Sequence, residues 1–265
     1  MGKIKKLYLY LRKQYDLLSL KKFTTIAGTL VFFLSMSITP LSFWLTLLVG
    51  RLPISGEEIL SLPIFETVKD VFLFVQKEAA SATTGASIIL IFTTLYSATN
   101  LFYQMRRSGE IIYDFHQKRQ GLKIRLGALL LMFIVMMSVV VFLGLFAMGS
   151  FLFSRILSSG FELIADYALL MAVSFVLVLV LNVYICPHKV KLKTFLPGTI
   201  ITVILWVGAV IGFTIYLKIG NVTRLYGALS TLIIFLLWLY ILMICFIVGV
   251  IFNSENVAEE HKKRR

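Results

Sequence analysis

Charged residues are scarce in this chain and are missing from long parts of it. Only 15% of its 265 residues are charged and 59% are hydrophobic, whereas soluble domains average about 25% charged residues. Six apolar stretches contain no Asp, Glu, Lys or Arg: residues 23–50, 83–105, 126–154, 167–187, 194–217 and 225–254. Each reaches the roughly 20 residues that a helix needs to cross hydrocarbon. The sequence therefore predicts an all-α polytopic membrane protein with six transmembrane helices.

Residues that support catalysis or metal binding are also few. The two cysteines, Cys186 and Cys245, form no CxxC motif. The three histidines, His116, His188 and His261, lie outside the apolar cores and lack the spacing of metal ligands. Gly-rich phosphate loops and nucleophile motifs are missing as well. We therefore predict a non-enzymatic protein with no catalytic residue, no cofactor and no metal site.

No ionisable residue lies deep within a predicted span, although proton-coupled pumps usually need one there. A charge at the centre of a membrane helix costs about 2.5 to 3.5 kcal/mol, so such groups are normally retained for function. We therefore expect any energy coupling to be weak, facilitative or placed at the membrane surface. The charged residues at the edges of the spans, which either form a functional rim or anchor the helices at the interface, are Glu110, Asp114, Arg155, Glu162 and Asp166. Among these, Arg155 with Glu162 or Asp166 would form a gate-like ion pair.

The basic residues lie mainly on alternate connections between the spans. Of the 26 Lys and Arg residues, 20 lie in the N-terminal arm, the connections 104–125 and 187–193, and the C-terminal tail. By the positive-inside rule, this bias places both termini in the cytoplasm. The net charge of +13 is not accompanied by any nucleic-acid module. We therefore expect the basic rim to contact anionic lipid headgroups and not nucleic acid.

Three segments flank or interrupt the membrane domain, which we assign to residues 23–254. Basic and apolar residues alternate at helical spacing in residues 1–22, which predicts an amphipathic helix in the cytoplasmic interface. Residues 64–78, in the first external connection, form a second amphipathic pattern. That helix is either a lid over an outward cavity or a helix resting on the bundle. Residues 255–265 are predicted to be a charged cytoplasmic tail.

Uncharged polar residues cluster on one face of the second predicted span. Because such groups need partners in hydrocarbon, they either line a cavity or hydrogen-bond to a neighbouring helix. The residues that we predict to line a cavity are Thr93, Tyr96, Asn100, Tyr103, Asn182, Tyr226 and Tyr240. Helix breaks are predicted at Pro40, Pro197 and Gly198, because proline leaves backbone groups without a helical partner.

An ordered set of motifs occupies the last third of the chain. The motifs are Leu196-Pro197-Gly198, Trp206, Tyr226-Gly227-Ala228-Leu229, Trp238-Leu239-Tyr240, Gly249 and Asn253, and Ser37-Ile38-Thr39-Pro40 precedes them in the first span. In order and spacing they resemble the YihY/BrkB family of bacterial inner-membrane proteins. The resemblance implies a six-helix fold in the cytoplasmic membrane. Members carry the labels virulence factor and, formerly, ribonuclease BN, but the resemblance supplies no catalytic residues.

These patterns favour a transporter or exporter of a small solute or lipid. The alternative is a membrane scaffold or envelope-assembly factor whose basic rim binds anionic lipid or a protein partner. A ribonuclease is least favoured, because the chain has no metal-ligand cluster and no hydrolytic domain.

Overall fold

The computed structural model describes residues 18–49, 84–115, 121–156, 159–219 and 229–263. These ranges contain helices and no strand: α1 Phe23–Val49, α2 Thr84–Ile112, α3 Gly121–Ile156, α4 Ser159–Ile185, a 3-10 helix Leu192–Phe195, α5 Leu196–Ile219 and α6 Leu229–Lys263. The all-α class is confirmed. The predicted external helix at 64–78 and residues 1–17 of the predicted interfacial helix lie outside the described residues.

Each α-helix contains most of one charge-free stretch, because an apolar segment can satisfy its backbone groups in a bilayer only within a helix. Among the described residues, four segments are long and apolar enough to cross a membrane: Gly121–Val141, Ala168–Ile185, Leu192–Tyr216 and Ile233–Glu260. A shorter apolar segment covers Phe23–Ile38. The chain is therefore a helical protein of membrane type.

The chain forms two compact units. The first unit contains residues 1–32, 104–119 and 178–265, and the second contains residues 33–103 and 120–177. The boundaries between the units fall inside α1, α2 and α4, so these helices contribute residues to both.

Helices α5 and α6 pack closely in the first unit. Gly198 and Gly249 lie where the helices meet, and a Cβ atom on either glycine would collide with backbone of the other helix. Small residues at such a point let two helix backbones approach each other. Farther along, the Trp206 indole N–H donates to the Leu242 carbonyl at 3.0 Å. Phe195 and Phe246 are fully buried in this unit.

The prolines at the predicted helix breaks are accommodated within regular helix. Helix α1 runs without interruption through the buried Pro40, where the lost backbone bond is one that membrane helices tolerate. Pro197 and Gly198 lie in the first turn of α5, where the missing N–H of proline would have no helical partner in any case.

Helices α2 to α6 each extend beyond a predicted apolar stretch, and α4 begins at Ser159, before the predicted start at residue 167. Helix α2 continues past residue 105 to Ile112, and α6 continues past residue 254 to Lys263. The extension of α6 packs on its own unit, since Val257 is buried and the Thr194 hydroxyl donates to Glu260 Oε2 at 2.5 Å. Most of the predicted charged tail is therefore the last part of α6.

In the second unit, α1 and α2 are joined by a hydrogen bond within their apolar segments. The buried Ser37 hydroxyl donates to the Ser97 carbonyl at 3.0 Å. The neighbouring Ala98 is fully buried, as are Ala128 and Met132 of α3.

The close contact between α5 and α6 predicts a stability difference between two glycine substitutions. In Gly249→Ala, the new Cβ atom would collide with the Thr202 hydroxyl and the Gly198 carbonyl. We expect this overpacking to cost about 1 to 3 kcal/mol. Gly208→Ala is the control, because no described atom lies within 4 Å of a Cβ at that position. Thermal unfolding in detergent measures the effect, and equal melting temperatures for the two variants would contradict the contact.

Candidate functional site

Two asparagines from different helices form a buried polar network in the first unit. Asn182 of α4 and Asn253 of α6 are fully buried, and Asn253 Nδ2 donates to Asn182 Oδ1 at 3.0 Å. Asn182 Nδ2 in turn donates to the Val178 carbonyl at 3.0 Å and to the Thr199 hydroxyl at 3.4 Å. The Thr199 hydroxyl donates to the carbonyl of Phe195. The cavity-lining role of Asn182 stays a prediction, while its side chain joins α4, α5 and α6.

Asn253 also caps the first turn of α5. The Gly198 N–H, which has no acceptor within its own helix, donates to Asn253 Oδ1 at 2.8 Å. The Thr202 hydroxyl donates to the Gly198 carbonyl one turn later. Every polar group of this network therefore has a partner inside the protein, as buried polar groups require.

Arg106 of α2, like Asn253, bonds to backbone groups at the end of another helix. Its Nη1 donates to the Tyr184 carbonyl at 2.7 Å and to the Cys186 carbonyl. These carbonyls lie at the end of α4, where backbone acceptors lack helical partners and a positive charge is favourable. Arg106 is therefore a helix cap within the first unit.

The predicted rim acids Glu110 and Asp114 form ion pairs in the first unit. Arg107 Nη1 lies 2.9 Å from Glu110 Oε2, and Lys21 Nζ pairs with Asp114. The Lys21–Asp114 pair lies at a pocket of about 180 Å³, which is also lined by Tyr113 and Glu255. Burial raises the pKa of the Tyr113 hydroxyl above its ordinary value, so the hydroxyl stays protonated. Because its lysine is neutralised by Asp114, this pocket offers no unpaired cation.

A different arrangement lies in the second unit, where Arg125 of α3 contacts two tyrosines of α2. Arg125 Nη2 donates to the Tyr96 hydroxyl at 2.8 Å. The guanidinium carbon lies 4.2 Å from the centroid of the Tyr96 ring and 5.0 Å from that of Tyr103. Both distances suit a cation–π contact, worth about 0.5 to 2 kcal/mol depending on desolvation. We call Arg125, Tyr96 and Tyr103 the arginine–tyrosine cluster.

The cluster holds a positive charge that is only partly compensated. Among the described residues, no carboxylate forms an ion pair with Arg125. Its Nη1 atom is buried and has no hydrogen-bond partner in the described ranges, whereas Tyr96 is 55% exposed. A buried donor without an acceptor costs about 1 to 3 kcal/mol, and more when it is charged. The cluster thus combines an accessible tyrosine with a charged donor that has unused hydrogen-bonding capacity.

The structure brings part of the predicted cavity face together. Tyr96 and Tyr103 meet at Arg125, while Thr93 is exposed and Asn100 is half-buried on the same helix. Tyr240 lies beside Gly28 in the first unit. Tyr226 lies outside the described residues.

The predicted gate residues lie in two described helices, but their side chains are not among the described parts of the structure. Arg155 belongs to α3, and Glu162 and Asp166 belong to α4. Their ion pair stays a prediction.

Sequence reasoning did not select Arg125 as a site residue, because it counted this arginine among the basic rim. One signal was present: Arg125 directly precedes an apolar stretch, while Tyr96 and Tyr103, seven positions apart, share a face of α2. The missing information was the direction of the arginine side chain.

Comparison with known proteins gives consistent results over most of the chain. The family model described as virulence factor BrkB matches residues 15–265. A UPF0761 membrane protein of Coxiella burnetii is 30% identical over 190 residues, which cover 68% of this chain and 67% of the relative. A UPF0761 membrane protein of Xanthomonas oryzae pv. oryzae is 36% identical over 89 residues, which cover 33% of this chain and 21% of the relative. No solved structure matches.

The asparagine network predicts a specific pattern of destabilisation. Asn253→Ala leaves the Gly198 N–H and Asn182 Oδ1 without their partners, and we expect each unpaired group to cost about 1 to 3 kcal/mol. The double variant with Asn182→Ala should lose less than the sum of the single variants, since one unpaired group is removed. Thr214→Ala is the control, because this exposed hydroxyl bonds only within its own helix. Additive losses in thermal unfolding would contradict the network.

Proposed function

The chain belongs to the virulence factor BrkB family of membrane proteins, and from this premise we propose that it transports or exports a small solute or lipid. In this proposal it is a non-enzymatic protein of the bacterial cytoplasmic membrane, with six membrane-spanning helices and both termini in the cytoplasm. The charge-free stretches and the bias of basic residues support this arrangement. Anionic headgroups contact its basic rim.

The observation that carries the proposal is the arginine–tyrosine cluster on the polar face of α2. In the first unit, Asn182 and Asn253 are fully buried and bonded to each other, so contacts within the protein account for their polar groups. The cluster differs, because Tyr96 is 55% exposed and Arg125 is only partly buried, while Arg125 Nη1 has no hydrogen-bond partner among the described residues. A polar molecule entering the membrane must replace its bonds to water, and this surface supplies hydrogen-bond donors.

The chemistry of the cluster also indicates how transport would be coupled. Arginine stays positively charged in proteins, so Arg125 does not bind and release protons during a cycle. Among the described residues no carboxylate pairs with it to act as a proton acceptor. The proposed transport at this site is therefore facilitative and follows the gradient of the transported molecule.

Reconstitution into vesicles tests the proposed function. The wild-type protein should accelerate the movement of a labelled phospholipid between leaflets, or the release of an enclosed solute, over protein-free vesicles. Combined replacement of Tyr96 and Tyr103 by alanine should reduce the rate about tenfold, because each tyrosine contributes about 0.5 to 2 kcal/mol of cation–π stabilisation. Asn100→Leu, on the same polar helix face, should also reduce it.

The matched control for this experiment is Ile204→Ala on α5, whose side chain is 63% exposed and lies in the other unit. Its transport rate should equal that of the wild type. A wild-type protein that moves neither lipids nor solutes, or tyrosine variants that transport at the wild-type rate, would contradict the proposal.

The alternative function, a scaffold that docks a partner on its basic rim, makes the opposite prediction. Changes at exposed basic residues such as Lys123 and Lys189 should then abolish complementation of a deletion strain, while Tyr96 tolerates change. Arg106 is unsuitable for this comparison, because its replacement would also remove the cap on α4.

A further inference from the structure

We propose that the arginine–tyrosine cluster is an oxyanion site that binds the phosphate group of the transported molecule through Arg125 and Tyr96. The inference rests on the proposed function, since it names the chemical class of the substrate. It gives Arg125, which the sequence patterns count only as one member of the basic rim, a specific role in binding the substrate.

The first argument is the missing counter-charge. In the first unit, Lys21 and Arg107 each pair with a carboxylate, and Arg106 donates to two backbone carbonyls. Within the described part of the chain, the Arg125 guanidinium contacts only a neutral hydroxyl and two aromatic rings, and its Nη1 atom is buried without an acceptor. A guanidinium next to an apolar helix segment is stabilised most by an anion that accepts its remaining hydrogen bonds. The structure supplies no such anion from the described residues, so a ligand is the natural source.

The second argument is the geometry of the donors. The Tyr96 hydroxyl accepts its bond from Arg125 Nη2, which leaves its own proton available for donation. Arg125 Nη1 carries two further N–H groups on the same planar guanidinium. The rings of Tyr96 and Tyr103, at 4.2 and 5.0 Å, restrict the orientation of that plane. One oxyanion that displaces the side chains covering the buried Nη1 atom can therefore accept from the arginine and from the tyrosine at once, as phosphates commonly do.

The third argument concerns the location of the cluster. Arg125 lies near the start of the apolar segment Gly121–Val141, and the neighbouring Leu122 and Leu126 are 87% and 69% exposed. Tyr96 is also more than half exposed. Such exposed apolar side chains next to a cation suit the interface between headgroups and hydrocarbon, where lipid phosphates lie. A phospholipid can therefore present its phosphate directly, and a soluble phosphate compound would reach the same donors from the aqueous side.

Binding measurements on the full-length protein test the inference. Native mass spectrometry with added phosphatidylglycerol probes the lipid source, and isothermal titration with inorganic phosphate probes the soluble source. Arg125→Gln removes the positive charge and the pair of parallel N–H donors of the guanidinium. We expect its affinity for phosphate to fall at least about tenfold. Arg125→Lys should bind with intermediate affinity, because it keeps the charge but cannot donate two parallel bonds. Tyr96→Phe should weaken binding several-fold, through loss of the hydroxyl.

Lys123→Gln is the matched control, since it removes an exposed positive charge from the same helix, two positions from Arg125. Arg125-dependent binding in either arm supports the inference and identifies the source of the phosphate. Equal affinity of the wild type, Arg125→Gln and Tyr96→Phe in both arms, or equal losses in Lys123→Gln and Arg125→Gln, would overturn it. If Arg125→Gln does not fold, Arg125→Lys and Tyr96→Phe decide the question by the same criteria.

The experiment separates this inference from the proposed function. Phosphate binding that depends on Arg125 without any transport would contradict the proposed function and leave the oxyanion site intact. Transport that depends on Tyr96 and Tyr103, with no phosphate binding at Arg125, would contradict the oxyanion site and leave transport intact.

Discussion

The structure depends on one constraint: polar groups in apolar helices need hydrogen-bond partners inside the protein. Asn253 shows how it is met: one side chain caps the Gly198 N–H at the start of α5 and donates to Asn182 of α4. The same contact brings the α5 and α6 backbones together at Gly198 and Gly249, where a larger side chain would collide. Arg106 serves the end of α4 in the same way. Packing and hydrogen bonding are therefore satisfied by the same contacts at the start of α5.

The same constraint distinguishes the candidate site from the asparagine network. Where a polar network is fully bonded, as at Asn182 and Asn253, its role in structure is sufficient to explain it. Arg125 Nη1 is buried, charged and without a partner among the described residues, so their contacts do not account for it. Tyrosine rings offset part of the cost of that charge, and an anionic ligand would offset more.

The apolar pattern of the sequence predicts the helices well, because a charge-free stretch of this length has few alternatives to a membrane helix. It predicts their ends poorly: α6 continues to Lys263 because Val257 is buried and Glu260 bonds to Thr194, contacts that depend on the tertiary fold. The polar face that includes Tyr96 was predicted from helical spacing. Arg125 was not, since charge counting places an arginine at a membrane surface without stating which way its side chain extends.

The most direct test of this account is a high-resolution structure of the protein purified with its native lipids. The account predicts density for a phosphate group within hydrogen-bonding distance of Arg125 Nη1 and the Tyr96 hydroxyl, about 2.7 to 3.2 Å from each donor. A carboxylate of the protein bonded to Arg125 Nη1, or a guanidinium turned away from both tyrosine rings into bulk water, would contradict it.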